Sequence, residues 1–273
     1  MRYTLGKLPK KDDERNLQFA DYVRAITPPP SFSFEKDVLS REYFPLLDQG
    51  NLPACTVYSA ATGQLRFEWR EQSGIVSFPR DELKRKYRKI EQPGGGAYLL
   101  DLNNLWRKEG FIGCTKRRSY SNCGLQKLLA RRRRTCIPYR IDGYQEVKTS
   151  AYELKLASYI FGILEIGILV TESFVNSYPD PAPPEAAKEP VLGGHAMCMI
   201  GYDQGGIVVR HTWRGHYSPQ VVSWGYCLSR SPYLNVTMLD EAYGIVDAKN
   251  PKQIRLLNLA RFFDDLQNVA GRG

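Results

Sequence analysis

Apolar residues in the first half of the chain recur at spacings of three and four, the pattern of helices that bury one face. The longest such run covers residues 54–71 and is interrupted only by Gly63. Its repeating apolar side chains are those of Val57, Ala60, Ala61, Leu65 and Trp69. Further helices are predicted over 81–90, 97–108, 151–164 and, near the end of the chain, 251–269.

In the second half the pattern changes to short β-branched or alternating runs separated by turn residues, which is typical of strands. Strands are predicted over 167–174, 195–203 and 206–213, with a long proline-rich loop over 178–190 between the first two. Helices followed by strands predict an α+β protein with two lobes of different class.

The same pattern divides the chain into four parts. Residues 1–45 are polar and carry TPPPS, so they are predicted to form an extended arm that wraps the body and stays part of it. A helical lobe is predicted over 46–165 and a β lobe over 166–249. Residues 250–273 are predicted to form a C-terminal helix that packs on the body.

Composition and the length of apolar runs bear on the class of protein and on its cellular compartment. It is 42% hydrophobic and 25% charged, as in ordinary globular proteins. The chain opens on polar residues, and its longest apolar run, 159–170, is too short to span a bilayer and contains Glu165. No membrane association is therefore expected. Six cysteines in such a chain are interpreted as free thiols, which favours the cytoplasm.

The net charge of +9 comes from one segment, 116–140, which carries nine lysines and arginines and no acidic residue. The segment is interpreted as a solvated surface that could bind an acidic protein partner. Nucleic acid is disfavoured because few aromatic residues are interleaved with the charges.

Cys55 is the first candidate for chemistry. It falls at the N-terminus of the first predicted helix, where the helix dipole favours a thiolate. An imidazolium is the second usual means of lowering a thiol pKa, and the chain offers only His195, His211 and His216, all near the predicted strands. No C-x-x-C pair is present and no histidine lies near Cys114, Cys123 or Cys136, so a zinc site is not expected. Chemistry at a thiol and an imidazole requires no cofactor, and none is expected.

Four short sequence motifs point to a family. They are DQGNLPACTV (48–57), GGHAMCMIGYD (193–203), VVRHTWRG (208–215) and WGYCL (224–228). Their order and spacing resemble those of the papain-like cysteine peptidases, especially the bacterial members. LGKLPKKDDERN (5–16), PGGGAYLLDLNNLWRKEGF (93–111) and LEIGILVTESF (164–174) extend the resemblance over most of the chain.

The resemblance implies a papain-like fold with the active-site cleft between a helical lobe and an antiparallel β lobe. It implies that Cys55 attacks a peptide carbonyl and that His195 forms the ion pair with it and protonates the leaving amine. Gln49 would donate to the oxyanion beside the Cys55 backbone N–H, an effect of about 3 kcal/mol in such sites. The substrate-binding residues it implies are Gly95 and Gly96, which would pair with substrate backbone, and Tyr98 and Ala196, which would line a specificity pocket.

The sequence departs from the family pattern at three places. His211 stands where the family has an orienting Asn, and as a neutral imidazole it could accept a hydrogen bond from His195. Pro53-Ala54 replaces Gly-Ser before the nucleophile and stiffens the oxyanion loop. Leu52 replaces a cysteine that is disulfide-bonded in secreted relatives.

Three functions remain open from the sequence. The first is a thiol peptidase that hydrolyses extended peptides or proteins through a Cys55 acyl-enzyme. The second is an inactive papain-like module that binds an extended peptide or a partner protein in the same cleft. The third is a related acyl-transfer or deamidation enzyme that uses the same thiol and imidazole.

Overall fold

The computed structural model describes residues 4–34, 46–72, 76–115 and 135–270. Within these ranges the helices are α1 (Cys55–Gln72), α2 (Arg80–Arg88), α3 (Leu99–Lys108), α4 (Ala151–Phe161), α5 (Glu172–Ser177), α6 (Trp224–Leu228), α7 (Pro251–Leu256) and α8 (Leu259–Ala270). The strands are β1 (Phe32–Ser33), β2 (Val76–Ser77), β3 (Phe111–Thr115), β4 (Thr135–Tyr139), β5 (Gly143–Glu146), β6 (Leu164–Val170), β7 (Gly193–Tyr202), β8 (Gly206–Arg210), β9 (Gln220–Ser223) and β10 (Leu239–Val246). None of the helices in the described ranges is both long enough and apolar enough to traverse a bilayer.

One large antiparallel sheet organises the molecule. Its strands run in the order β5-β10-β6-β7-β8-β9, and β1 of the arm pairs with the far end of β7. The central strands β6 and β7 are buried along almost their whole length. Helix α1 packs against these two strands and forms, with α2 and α3, a second hydrophobic core on that side. This arrangement confirms the predicted α+β class.

Local chemistry shifts two predicted elements. The helix predicted over 151–164 ends at Phe161, because Gly162 adopts φ +86° and a side chain there would lie 2.8 Å from the Phe34 ring. Strand β6 therefore starts earlier than predicted and also ends earlier, at Val170. The Thr171 hydroxyl accepts the Phe174 N–H (3.3 Å) and begins a helix, so the strand predicted over 167–174 is wrong in its last four residues.

The single C-terminal helix predicted over 251–269 is divided into α7 and α8. The break is at Leu257 and Asn258, whose backbone is taken by the arm: Asn258 N donates to Tyr22 O (2.8 Å), and Val23 forms a bridge with Leu257. Periodicity could not show this interruption, since its cause lies more than 200 residues away.

The predicted boundary between the lobes at residue 165 also needs correction. Strand β5 pairs with β10 at the edge of the large sheet, and α4 packs on β7 and β10. Both elements lie within 46–165 yet belong to the β lobe, because the alternating run 143–146 is too short to signal a strand by itself.

A smaller sheet, β2-β3-β4, forms an antiparallel ribbon beside α2. Cys114 and Cys136 are opposite each other in it and form a disulfide, so the prediction of free thiols is wrong for this pair. The inference of a cytoplasmic location loses the support that it took from free thiols. Cys123 and residues 116–134, most of the basic segment, lie outside the described residues.

Candidate functional site

Cys55 is the first residue of α1 and is completely buried. Backbone N–H groups of Thr56, Ala196 and Gly6 reach its sulfur, so the thiol lies where α1, β7 and the N-terminal arm meet. Burial nevertheless raises the pKa of the thiol to about 11, against the opposing effects of those N–H groups and of the Lys7 charge. The expected lowering of this pKa is therefore wrong for the structure as it stands, because desolvation outweighs the helix terminus.

His195 is buried in β7, next to Ala196. Burial, together with the neighbouring His211 and His216, lowers its pKa well below the usual value, so the imidazole is neutral. Neither of its ring nitrogens has a hydrogen-bond partner among the described residues. Its ring stacks on the Trp213 indole with 3.9 Å between ring centroids.

His211 follows β8 and lies beside His195, with 5.8 Å between ring centroids and 12° between ring planes. Its Nε2 lies 2.6 Å from Gln220 Oε1, while Gln220 Nε2 donates to Ser177 and Asp180. His211 Nε2 therefore carries the proton and its Nδ1 is a hydrogen-bond acceptor. The hydrogen bond expected between the two histidines is not formed here, since both Nδ1 atoms lack a partner among the described residues.

Gln49 is held by both ends of its side-chain amide. Its Oε1 accepts from the Thr212 hydroxyl (2.5 Å), and its Nε2 donates to Leu52 O (2.8 Å) and to Thr4 O (3.0 Å). Trp213 Nε1 approaches the same Thr4 oxygen at 3.4 Å. Two N–H donors thus converge on one peptide carbonyl of the arm.

Residues Thr4 to Leu8, which we call the cleft segment, occupy the site as an extended peptide. Ala97 N donates to Gly6 O (2.8 Å), and Leu8 N donates to Ala97 O (3.1 Å). On the opposite wall Lys7 N donates to Gly194 O (3.1 Å). The cleft segment is therefore hydrogen-bonded to both lobes directly over Cys55.

Glycines allow this close approach. A side chain on Gly6 would lie 1.9 Å from Pro53 O, and one on Gly96, which has φ +84°, would lie 2.8 Å from Gly6 O. Gly95 instead faces Pro53 Cγ at 3.5 Å. The residue that pairs with the backbone of the cleft segment is thus Ala97, which sequence reasoning missed. Gly96 does not pair with that backbone but allows it to approach closely.

The two residues expected to line a pocket have different positions. Tyr98 is partly buried just before α3, and the Lys11 ammonium lies 5.4 Å from its ring centroid. Ala196 is fully buried, and its backbone N–H faces the Cys55 sulfur. Sequence reasoning also missed Trp213 and the cleft segment, whose partners are distant in the chain.

No protein-family model matches the chain, and no curated protein matches it. Among solved structures, xylellain, a cysteine protease from Xylella fastidiosa, superposes with a TM-score of 0.62 at 19% identity, covering 91% of this chain and 99% of xylellain.

Two further structures agree with this match. Procathepsin B from Trypanosoma congolense has a TM-score of 0.59 at 13% identity, covering 88% of this chain and 87% of its own. A Carica candamarcensis cysteine protease in complex with E-64 has a TM-score of 0.54 at 18% identity, covering 80% and 99%. The helical lobe, the antiparallel sheet and the cleft between them therefore form the papain-like fold of these cysteine proteases.

Proposed function

We propose that the protein is a cysteine peptidase that uses Cys55 and His195 and that is described here with its cleft closed by its own arm. The observation that carries this proposal is the cleft segment, a peptide whose backbone is hydrogen-bonded to both walls over the thiol. One of its carbonyl oxygens receives the Gln49 side-chain N–H. A site that holds a peptide in this way is suited to a peptide substrate.

The proposed reaction uses these groups in order. Once the arm has left, the proton of the Cys55 thiol passes to His195, and the thiolate attacks the substrate carbonyl. The Gln49 N–H stabilises the resulting oxyanion, and collapse of the intermediate expels an amine that takes its proton from His195. Water, deprotonated by His195, then releases the carboxylic acid and restores the thiol.

The closed state explains the direction of the two pKa values. With the cleft segment in place, burial favours a neutral thiol and a neutral imidazole. Water that enters when the segment leaves stabilises both charged forms, so the thiolate–imidazolium pair becomes accessible. Release of the arm is thus the step that activates the nucleophile.

A test uses the full chain with the arm weakened by Lys7→Ala, a substitution that removes its buried anchor. This variant should hydrolyse fluorogenic extended peptides, whereas Lys7→Ala combined with Cys55→Ala should be inactive. Cys227→Ala, which changes a second buried thiol, is the matched control and should leave hydrolysis intact. Equal hydrolysis with and without Cys55 would refute the peptidase.

One observation favours a second function, a peptide-binding module without catalysis. His211 bonds Gln220, and His195 is oriented by stacking on Trp213 without a hydrogen bond among the described residues. If this geometry persists after the arm leaves, His195 is a poor base. The module would then bind the test peptides at micromolar concentration while the Lys7→Ala chain leaves them uncut.

A further inference from the structure

The side chain of Lys7 lies in a pocket of its own. The hydrogen bonds of the cleft segment are made by its backbone and do not depend on this side chain. It is completely buried, and its Nζ lies 2.8 Å from Glu241 Oε1 and forms an ion pair with Asp240. The carboxylates belong to β10 and are themselves almost fully buried. A lysine in such a place is costly unless its charge is matched, and here two carboxylates match it.

Two glycines in the walls of the pocket leave room for a long side chain. A side chain on Gly167 would lie 2.4 Å from Lys7 Cε, and one on Gly194 would lie 3.1 Å from Lys7 Cδ. Gly167 is the cross-strand partner of Glu241, so the carboxylate lies next to the open space. We call this space, bounded by Gly167, Gly194, Asp240 and Glu241, the acidic pocket.

The acidic pocket has an unbalanced charge without its lysine. Asp240 Oδ1 has no hydrogen-bond partner among the described residues. Burial raises the pKa of Glu241, and the Lys7 ammonium opposes that rise. When the arm leaves, two carboxylates that have lost their cation remain in a half-closed space beside the cleft, and a cation from solution or substrate is favoured there.

We infer that the acidic pocket is a specificity site that selects substrates carrying lysine or arginine at the position that replaces Lys7. This inference rests on the proposed function, because it treats the cleft as a place for other peptides. Lys7 acts as an internal copy of the preferred residue. The ion pair that holds the arm in the cleft would then also select the substrates that compete with the arm for the cleft.

The test separates binding from cleavage. The full chain carrying Cys55→Ala and Lys7→Ala is titrated with labelled extended peptides that differ only in having lysine, arginine or norleucine at one position, scanned along the peptide. At one position the basic peptides should bind at least about tenfold more tightly than the norleucine peptide. Adding Glu241→Gln should remove most of that preference while leaving the affinity for norleucine unchanged or higher.

Two further variants serve as an independent test and as a control. Asp240→Asn tests the second carboxylate independently, and Glu172→Gln, which changes an exposed carboxylate on α5, should leave the preference intact. Equal affinity for basic and norleucine peptides at every position overturns the inference. Cleavage by the chain that retains Cys55 is measured separately, so loss of cleavage with retained selective binding contradicts only the peptidase.

Discussion

The raised pKa of the Cys55 thiol can be tested without any substrate. Its pKa is raised to about 11 by burial, so in the closed state it is a neutral thiol at pH 7, and iodoacetamide should react with it slowly. Lys7→Ala should accelerate alkylation of Cys55 at least about tenfold at pH 7, because an open cleft hydrates the thiolate. Peptide mass spectrometry measures the rate for each cysteine.

Cys227 is the internal control for this experiment. It is buried in the hydrophobic core with its sulfur 3.8 Å from Val222 O, and its pKa is also raised by burial. Its alkylation rate should not change with Lys7→Ala. Equal acceleration at both thiols would indicate general unfolding rather than release of the arm.

The pKa of the His211 imidazole is lower than that of a histidine in water. Burial and the neighbouring His216 lower its pKa to about 3, against the opposing hydrogen bond with Gln220. It therefore stays neutral over the working range, and its Nδ1, which has no partner among the described residues, is available as an acceptor for His195 once the arm has left. In the Lys7→Ala background, His211→Asn should retain activity and leave the acid limb of the pH profile unchanged.

His211→Ala removes that acceptor and should lower the peptidase rate by one to a few powers of ten, about 1.4 kcal/mol for each. A pH profile of kcat/KM measured for the three proteins decides the matter. Equal rates for all three would show that His211 has no role in orienting His195.

At the scale of the elements, the ribbon formed by β3 and β4 is closed by the Cys114–Cys136 disulfide. The bond closes a separation of 22 residues, and a disulfide of that span stabilises a fold by about 3 kcal/mol. The double variant Cys114→Ser, Cys136→Ser should lower the free energy of unfolding by about that amount, as measured in urea. Dithiothreitol should destabilise the wild type and leave the double variant unaffected.

The elements also show what the sequence could and could not predict. Helix α1 and strand β7 are visible because each carries a clean apolar pattern next to the residues that resemble a known family. Strand β10 was missed because Asp240 and Glu241 interrupt its pattern, and they are polar because they face Lys7. The partners of the cleft segment were invisible because Lys7 and Asp240 are 233 residues apart, a separation that no local pattern reports.

For the whole molecule, acid should release the cleft segment from the site. The pKa of His195 is lowered by burial first and by its histidine neighbours second, so the closed state is favoured above about pH 6.5 and loses that advantage as the pH falls. His216, whose pKa burial lowers to about 4, acts in the same direction.

Hydrogen exchange measures this opening. Corrected for intrinsic rates, the amides of Lys7, Leu8 and Ala97 should lose protection between about pH 6.5 and pH 4. The amide of Asn258, which bonds the arm at Tyr22 far from the histidines, is the control and should stay protected. Protection of the cleft segment that is independent of pH would rule out this coupling.

The most direct measurement is to trap the acyl-enzyme. The full chain carrying Lys7→Ala is mixed with an activated ester of an extended lysine-containing peptide, quenched in acid, digested and analysed by mass spectrometry. We expect the acyl group on the peptide that contains Cys55, at a level that falls by about tenfold or more with His195→Ala. An acyl group found on another residue, or none on Cys55 while the peptide still binds, would contradict the assignment of Cys55 as a catalytic nucleophile.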